Sequence, residues 1–230
     1  MTDHYLILLA NSYIKQLEHA FANAEAGKSN VPKEILTMGG MTGKKTRHFY
    51  NNLLQMEDSR YLEIGTWMGS SVCSAMCYNR AKVVCIDNWS EFNAGNIRDI
   101  FFSYFTACTG DNDARFIESD CFSVDTAALG KFNIYLYDGG HDYEDHFKAL
   151  AYYLGNMDDL FIYIVDDWNW ARVRNGTNDY IAQAGLNILW KKEIILTEND
   201  EHTPARSAKA NWWNGIAVFL LQKPAIRQSS

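Results

Sequence analysis

From residue 60 onward, short runs of β-branched and aromatic residues alternate with longer segments whose apolar positions recur at helical spacing. The short runs are RYLEIG (60–65), KVVCID (82–87), RFIES (115–119), FNIYLYDG (132–139) and LFIYIVDD (160–167). Between them lie SSVCSAMCYN (70–79), NIRDIFFSYFTAC (96–108) and DYEDHFKALAYYLGNM (142–157). Strands that are apolar almost throughout, each followed by a helix, predict a parallel sheet covered on both faces. The tail breaks the rhythm. KEIILT (192–197) and GIAVFLLQ (215–222) read as strands with no clear helix between them, which predicts an antiparallel pairing at the C-terminal edge of the sheet.

Before residue 60 the pattern is helical. Residues 4–26 carry apolar positions at near-helical spacing and stop at Gly27, and Pro32 opens a second short segment. TMGGMTGKKTRHFYNNLL (37–54) then reads as a glycine-rich turn entering another helix. Its GKK resembles part of a phosphate loop, but that motif needs glycine at position 38, which is Met38, and Ser or Thr where Lys45 stands. The reading is one doubly wound α/β domain at 59–230, with a helical extension at 1–58 that serves as a lid.

Composition narrows the function. A chain of 230 residues buries roughly three quarters of its unfolded surface and needs no disulfides to hold a core. Five cysteines without a CxxC pair suit reduced thiols, and Cys73 and Cys77, one helical turn apart, read as helix packing. A net charge of −7 gives no diffuse basic surface for nucleic acid or anionic membrane. The opening MTDHYLILLANSYIK lacks the basic start of a secretory signal, and no apolar window approaches a membrane span. The expected compartment is the cytoplasm, with a homo-oligomer left open.

The chemistry collects at the strand tips. In open α/β sheets, ligands bind beyond the carboxyl ends of the strands. The first strand ends in Glu63, Ile64 and Gly65, followed by Thr66, Trp67, Met68, Gly69, Ser70 and Ser71. The next tips carry Asp87, Asn88 and Trp89, then Ser119, Asp120 and Cys121, then Asp138 and His141, then Asp166, Asp167 and Trp168. Gly65 and Gly69 allow a tight turn close to a ligand. The N–H groups of Ser70 and Ser71 open a helix whose positive end favours an anion. Asp87 suits a grip on two ribose hydroxyls. A dinucleotide would want a third glycine and a bare backbone where Trp67 stands. That bulk disfavours a nicotinamide cofactor and is harmless to one without phosphate.

YLEIGTWMGSS, VVCIDNW, ESD, LYDGGHDYEDHF and IVDDW, in that order, resemble the successive motifs of class I S-adenosylmethionine-dependent methyltransferases. The likeness is nearest to the catechol-type and macrocin-type small-molecule O-methyltransferases. It covers roughly residues 60–170 and implies a Rossmann-like sheet with an antiparallel C-terminal edge strand. It also implies that Gly65 and Ser71 hold the methionine end of the cofactor, Asp87 the ribose, and Asp120 with Cys121 the adenine. Glu63, Thr66, Trp67, Gly69, Ser70, Asn88 and Trp89 complete the expected cofactor shell, with Asp138 and His141 bordering it. In the metal-dependent members, Asp138, Asp166 and Asp167 would bind Mg²⁺.

Chemistry supports that ion, since three converging carboxylates repel one another unless protonated or neutralised by a cation. His141, three residues after Asp138, is placed to accept a hydroxyl proton from a small-molecule methyl acceptor. Blander roles stand beside these. An Asp pair after a strand also suits the cap of the next helix. Trp67, Trp89, Trp168, Trp170, Trp212 and Trp213 either line a pocket or simply pack. Arg172 and Arg174 either meet an acidic acceptor or are solvated. A cofactor-binding module without catalysis would keep the glycines and Asp87 and make no use of the three aspartates.

Overall fold

The computed structural model describes residues 3–92 and 95–224. Helix α1 (Asp3–Glu25) is followed by α2 (Lys33–Thr37) and α3 (Lys44–Leu53), and then the strand–helix alternation begins. It runs β1 (Arg60–Ile64), α4 (Ser70–Met76), β2 (Lys82–Asp87), α5 (Ile97–Thr109), β3 (Asp113–Glu118), β4 (Phe132–Tyr137), α6 (Tyr143–Tyr153) and β5 (Met157–Asp166). The chain finishes with α7 (Ala171–Gln183), β6 (Asn187–Ile194), α8 (Ala205–Ala210) and β7 (Ile216–Gln222). These strands form one seven-stranded sheet in the order β3-β2-β1-β4-β5-β7-β6.

The first five strands run parallel, as their unbroken apolar character requires, and every residue of β4 is buried. Alternate residues serve opposite faces. Tyr61, Val83, Ile134 and Ile162 pack with α1, α3, α4 and α5, whereas Leu62, Val84, Tyr135 and Tyr163 pack with α6 and α7. Leu17, Phe21 and Ala24 of α1 join the first of these layers, so the N-terminal helix shares the core of the sheet.

The tail pair lies at the sheet edge and is antiparallel within itself. β7 pairs antiparallel with β5 on one side and with β6 on the other, which leaves β6 outermost. β6 also begins five residues earlier than KEIILT and ends at Ile194. Its register closes where Ile194 meets Ile216, and the chain then leaves the sheet. The loop before β7 contains the short helix α8, with Pro204 at its N-cap and the strong helix formers of ARSAKA behind it.

Candidate active site

The turn after β1 is built by backbone that only special residues tolerate. Gly65 has φ +85°, and a Cβ there would overlap the carbonyl oxygen of Asp138 on the neighbouring strand. Gly69 has φ +86° and donates its N–H to the Thr66 carbonyl at 2.7 Å, closing the turn before α4. Between the two glycines Trp67 is left-handed at φ 42°, as are Trp89 at φ 51° and Asp167 at φ 55°. Such angles are uncommon for residues of this bulk and persist where surrounding contacts enforce them, often at functional sites. For Trp67 and Trp89 the enforcing group is Asp87. Its Oδ2 accepts from Trp67 N and its Oδ1 from Trp89 N, each at 2.7 Å, while Trp89 Nε1 donates to the Trp67 carbonyl at 3.0 Å.

Glu63, one strand position before Ile64, takes a different course. It is fully buried, with Oε1 accepting from Ser71 Oγ at 2.5 Å and Oε2 from Tyr61 Oη at 2.6 Å. Burial pushes its carboxyl up to about 7, against the pull of those two hydroxyls. Glu63 therefore ties α4 to β1 from beneath the turn.

Across the sheet, β4 and β5 end in a cluster of ionisable groups. One ligand atom each from Asp138, His141 and Asp167 lies within 4.8 Å of the others. His141 Nε2 is 2.7 Å from Asp167 Oδ2 and 3.9 Å from Asp138 Oδ1, and its Nδ1 faces Glu91 at 4.0 Å. Burial alone would lower the imidazole pKa, but the hydrogen bond and charge of Asp167 outweigh it and the value is raised. The Asp138 carboxyl is pushed well above the usual range by burial first, then by the charges of Asp166 and Asp167.

Asp166 stands apart from the trio. It is 3% exposed and does not line the cavity, whereas Asp167, left-handed at φ 55°, does. The Asp pair does not cap α7 either, whose N-cap is Trp170. The trio offers two carboxylate oxygens and an imidazole nitrogen, and Oδ1 of both Asp166 and Asp167 is buried without a hydrogen-bond partner. Such a donor set fits a divalent cation, one more tolerant of nitrogen than Mg²⁺ is.

These groups surround a cavity of about 640 Å³. Of the residues singled out in the sequence, Gly65, Trp67, Asp87, Asn88, Trp89, Asp120, Cys121, Asp138, His141 and Asp167 line it. Thr66, Gly69, Ser70 and Ser71 are buried behind the turn and do not line the cavity. Trp170 and Trp213 also face the cavity, while Trp168 and Trp212 are core residues. Arg174 donates to the carbonyls of Trp168 and Asn169, and Arg172 to that of His141, so both shape loops. Met41, Phe122, His202 and Asn214 line the cavity with no signal in the sequence pattern, since each lies in a connection without period.

Residues 62–168, spanning most of β1 through β5, match the family model of a methyltransferase domain. The match covers a little under half of the chain, and together with the shared fold it supports a class I S-adenosylmethionine-dependent methyltransferase. No curated protein matches the chain in sequence. Solved structures share the fold of this chain at low identity. A Klebsiella pneumoniae protein described as an O-methyltransferase superposes with TM-score 0.54 at 14% identity, over 94% of this chain and 96% of that one. The O-methyltransferase from Bacillus cereus, solved with S-adenosylhomocysteine, gives 0.51 and 14% over 90% and 91%. A Pyrococcus horikoshii protein described as an RNA methyltransferase gives 0.53 and 14% over 91% and 98%. Some further neighbours are longer chains, of which this chain spans about half. Among its described residues no helix is long and apolar enough to cross a membrane.

Proposed function

We propose that the protein transfers the methyl group of S-adenosylmethionine to a hydroxyl oxygen of a small molecule. The observation that carries this reading is the His141–Asp167 hydrogen bond inside a cavity also lined by the Gly65 turn and Asp87. Asp87 would hold the ribose, since each carboxylate oxygen keeps a second lone pair beyond the backbone N–H it already accepts. The Gly65 turn would take the amino-acid end, and Asp120 with Cys121 the adenine. Met41 gives the N-terminal segment its place at the cavity wall, where it would help to exclude water.

A carboxylate only accepts, so His141 Nε2 carries the hydrogen shared with Asp167, and Nδ1 is left to take the acceptor's proton. Asp167 orients the ring and steadies the imidazolium that results. The cofactor supplies an electrophilic methyl on sulfur, and the protein's share is alignment of the two reactants. A divalent ion held by Asp138, His141 and Asp167 would instead acidify the hydroxyl directly.

A small acceptor is favoured over a polyanion because Glu91, Asp120 and Asp145 join the other acids along the cavity. Calorimetric titration with S-adenosylhomocysteine tests the reading. Micromolar binding, weakened in folded Asp87→Ala, is the expected result, and no binding by the folded native protein would overturn it.

A further inference from the structure

The glycine-rich stretch that fails as a phosphate loop, GGMTG at 39–43, forms a turn wedged between two parts of the site. On one side a Cβ at Gly39 would stand 3.1 Å from Met68 Cε, and one at Gly40 would overlap Ser70 Oγ. Thr42 Oγ1 lies 2.8 Å from that same Ser70 Oγ. On the other side a Cβ at Gly43 would overlap the carbonyl of Asn211, which also accepts from Lys45 N at 3.2 Å. Met41, between these contacts, lines the cavity.

One side chain holds the turn. Arg47 of α3 is 3% exposed, and its Nε donates to the Thr42 carbonyl at 2.9 Å. Its Nη1 donates to the carbonyls of Ile35 at 2.6 Å and Met38 at 3.1 Å. Among the described residues no carboxylate pairs with it. A buried cation without a counter-charge is costly. Here the guanidinium fork spends its donors on carbonyls spread from residue 35 to residue 42, which fixes the path of the chain between them.

We propose that Arg47 is a positioning residue for the cofactor. By pinning the 38–43 turn against Met68 and Ser70, it shapes the wall that receives the amino-acid end. Arg47 acts through the turn and does not itself touch the ligand. This inference rests on the cofactor reading above and adds a residue that none of the strand-tip motifs contains.

Two probes separate the ends of the cofactor. S-adenosylhomocysteine has the amino-acid end, and 5′-methylthioadenosine keeps the adenosine and thioether without it. Both are titrated by calorimetry well below the melting temperature of each variant. In Arg47→Met, S-adenosylhomocysteine should bind about tenfold more weakly, or ~1.4 kcal/mol. Methylthioadenosine should stay within about twofold of the native value, well inside that interval. Arg47→Lys should not restore the loss, because an ammonium cannot bridge the same three carbonyls. Thr42→Val, which removes the hydroxyl contact with Ser70 and keeps the side-chain shape, should show the same pattern more weakly and serves if Arg47→Met does not fold. Equal weakening of both ligands would mean general loosening and would overturn the proposal, as would unchanged binding of S-adenosylhomocysteine. A native protein that binds neither probe would remove the cofactor reading first, and this inference with it.

Discussion

His141 Nε2 and Asp167 Oδ2 meet at 2.7 Å across the tips of β4 and β5. Asp167 turns into the cavity on a left-handed backbone, and His141 arrives through the loop after Gly139 and Gly140. If the pair serves as base and orienting partner, Asp167→Asn should lower methyl transfer by about two orders of magnitude, the usual scale for general-base catalysis. S-adenosylhomocysteine affinity should change little, because the role proposed for Asp167 is toward the acceptor's proton. Radiolabelled methyl incorporation into a panel of phenols and sugars measures the first quantity, and calorimetry the second. Equal activity of the native protein and the variant would reject the dyad.

The donor set at this cluster makes a separate prediction about metals. With an imidazole among the ligands, Mn²⁺ should raise the melting temperature more than Mg²⁺ at equal concentration. His141→Ala should erase that difference. A response to Mg²⁺ alone, lost in Asp166→Asn, would instead restore the oxygen-only set of Asp138, Asp166 and Asp167. Scanning calorimetry with each ion, and with a chelator as blank, decides between them.

Glu63 predicts an unusual pH dependence of stability. Its carboxyl titrates near 7 in the folded chain because burial disfavours the anion, against 4.5 for the free group. Between those values the unfolded chain releases a proton that the folded chain keeps. Stability therefore falls as pH rises through that window, by at most about 1.4 kcal/mol per pH unit. Glu63→Gln is neutral throughout and can still meet Ser71 and Tyr61. Its contribution should be flat across the window, leaving the variant about 1–3 kcal/mol more stable than the native chain at pH 8. Urea unfolding from pH 5 to pH 8 checks this. A variant with unchanged slope would show that Glu63 titrates normally.

What could be read before the fold was known depended on burial. The strands β1, β2, β4 and β5 are covered on both faces and announce themselves as apolar runs. β6, the outer strand, is mostly exposed, so its true start at Asn187 carries no period and the apolar IIL that follows drew the boundary too late. The strand-tip acids were legible as a group because chain order places them at one end of a parallel sheet. Which of Asp166 and Asp167 faces the cavity was not, since β5 ends at Asp166 and the residue pattern does not give the path of the backbone beyond it. Met41 and His202 reach the site from connections whose positions depend on tertiary contacts, and Arg47 is linked to it only through carbonyls, which any sequence supplies.

Gly65 should be the least replaceable glycine of the site. Alanine there must adopt φ +85° and also place its methyl against the Asp138 carbonyl, a backbone atom that cannot move without dragging the β4 tip. Gly27 is the matched control, with φ +64° and nothing within 4 Å of an added Cβ. Gly27→Ala should then cost only the left-handed backbone strain, about 1 kcal/mol. Gly65→Ala adds overpacking to that strain and should exceed about 3 kcal/mol. Because the displaced atom belongs to Asp138, the surviving folded fraction should also bind S-adenosylhomocysteine poorly, whereas Gly27→Ala should bind it as the native chain does. Urea unfolding and calorimetry on the two variants measure both effects. Comparable stability of the two would mean that the β1 turn tolerates a Cβ and that the close approach of β1 to β4 is not what shapes the cavity.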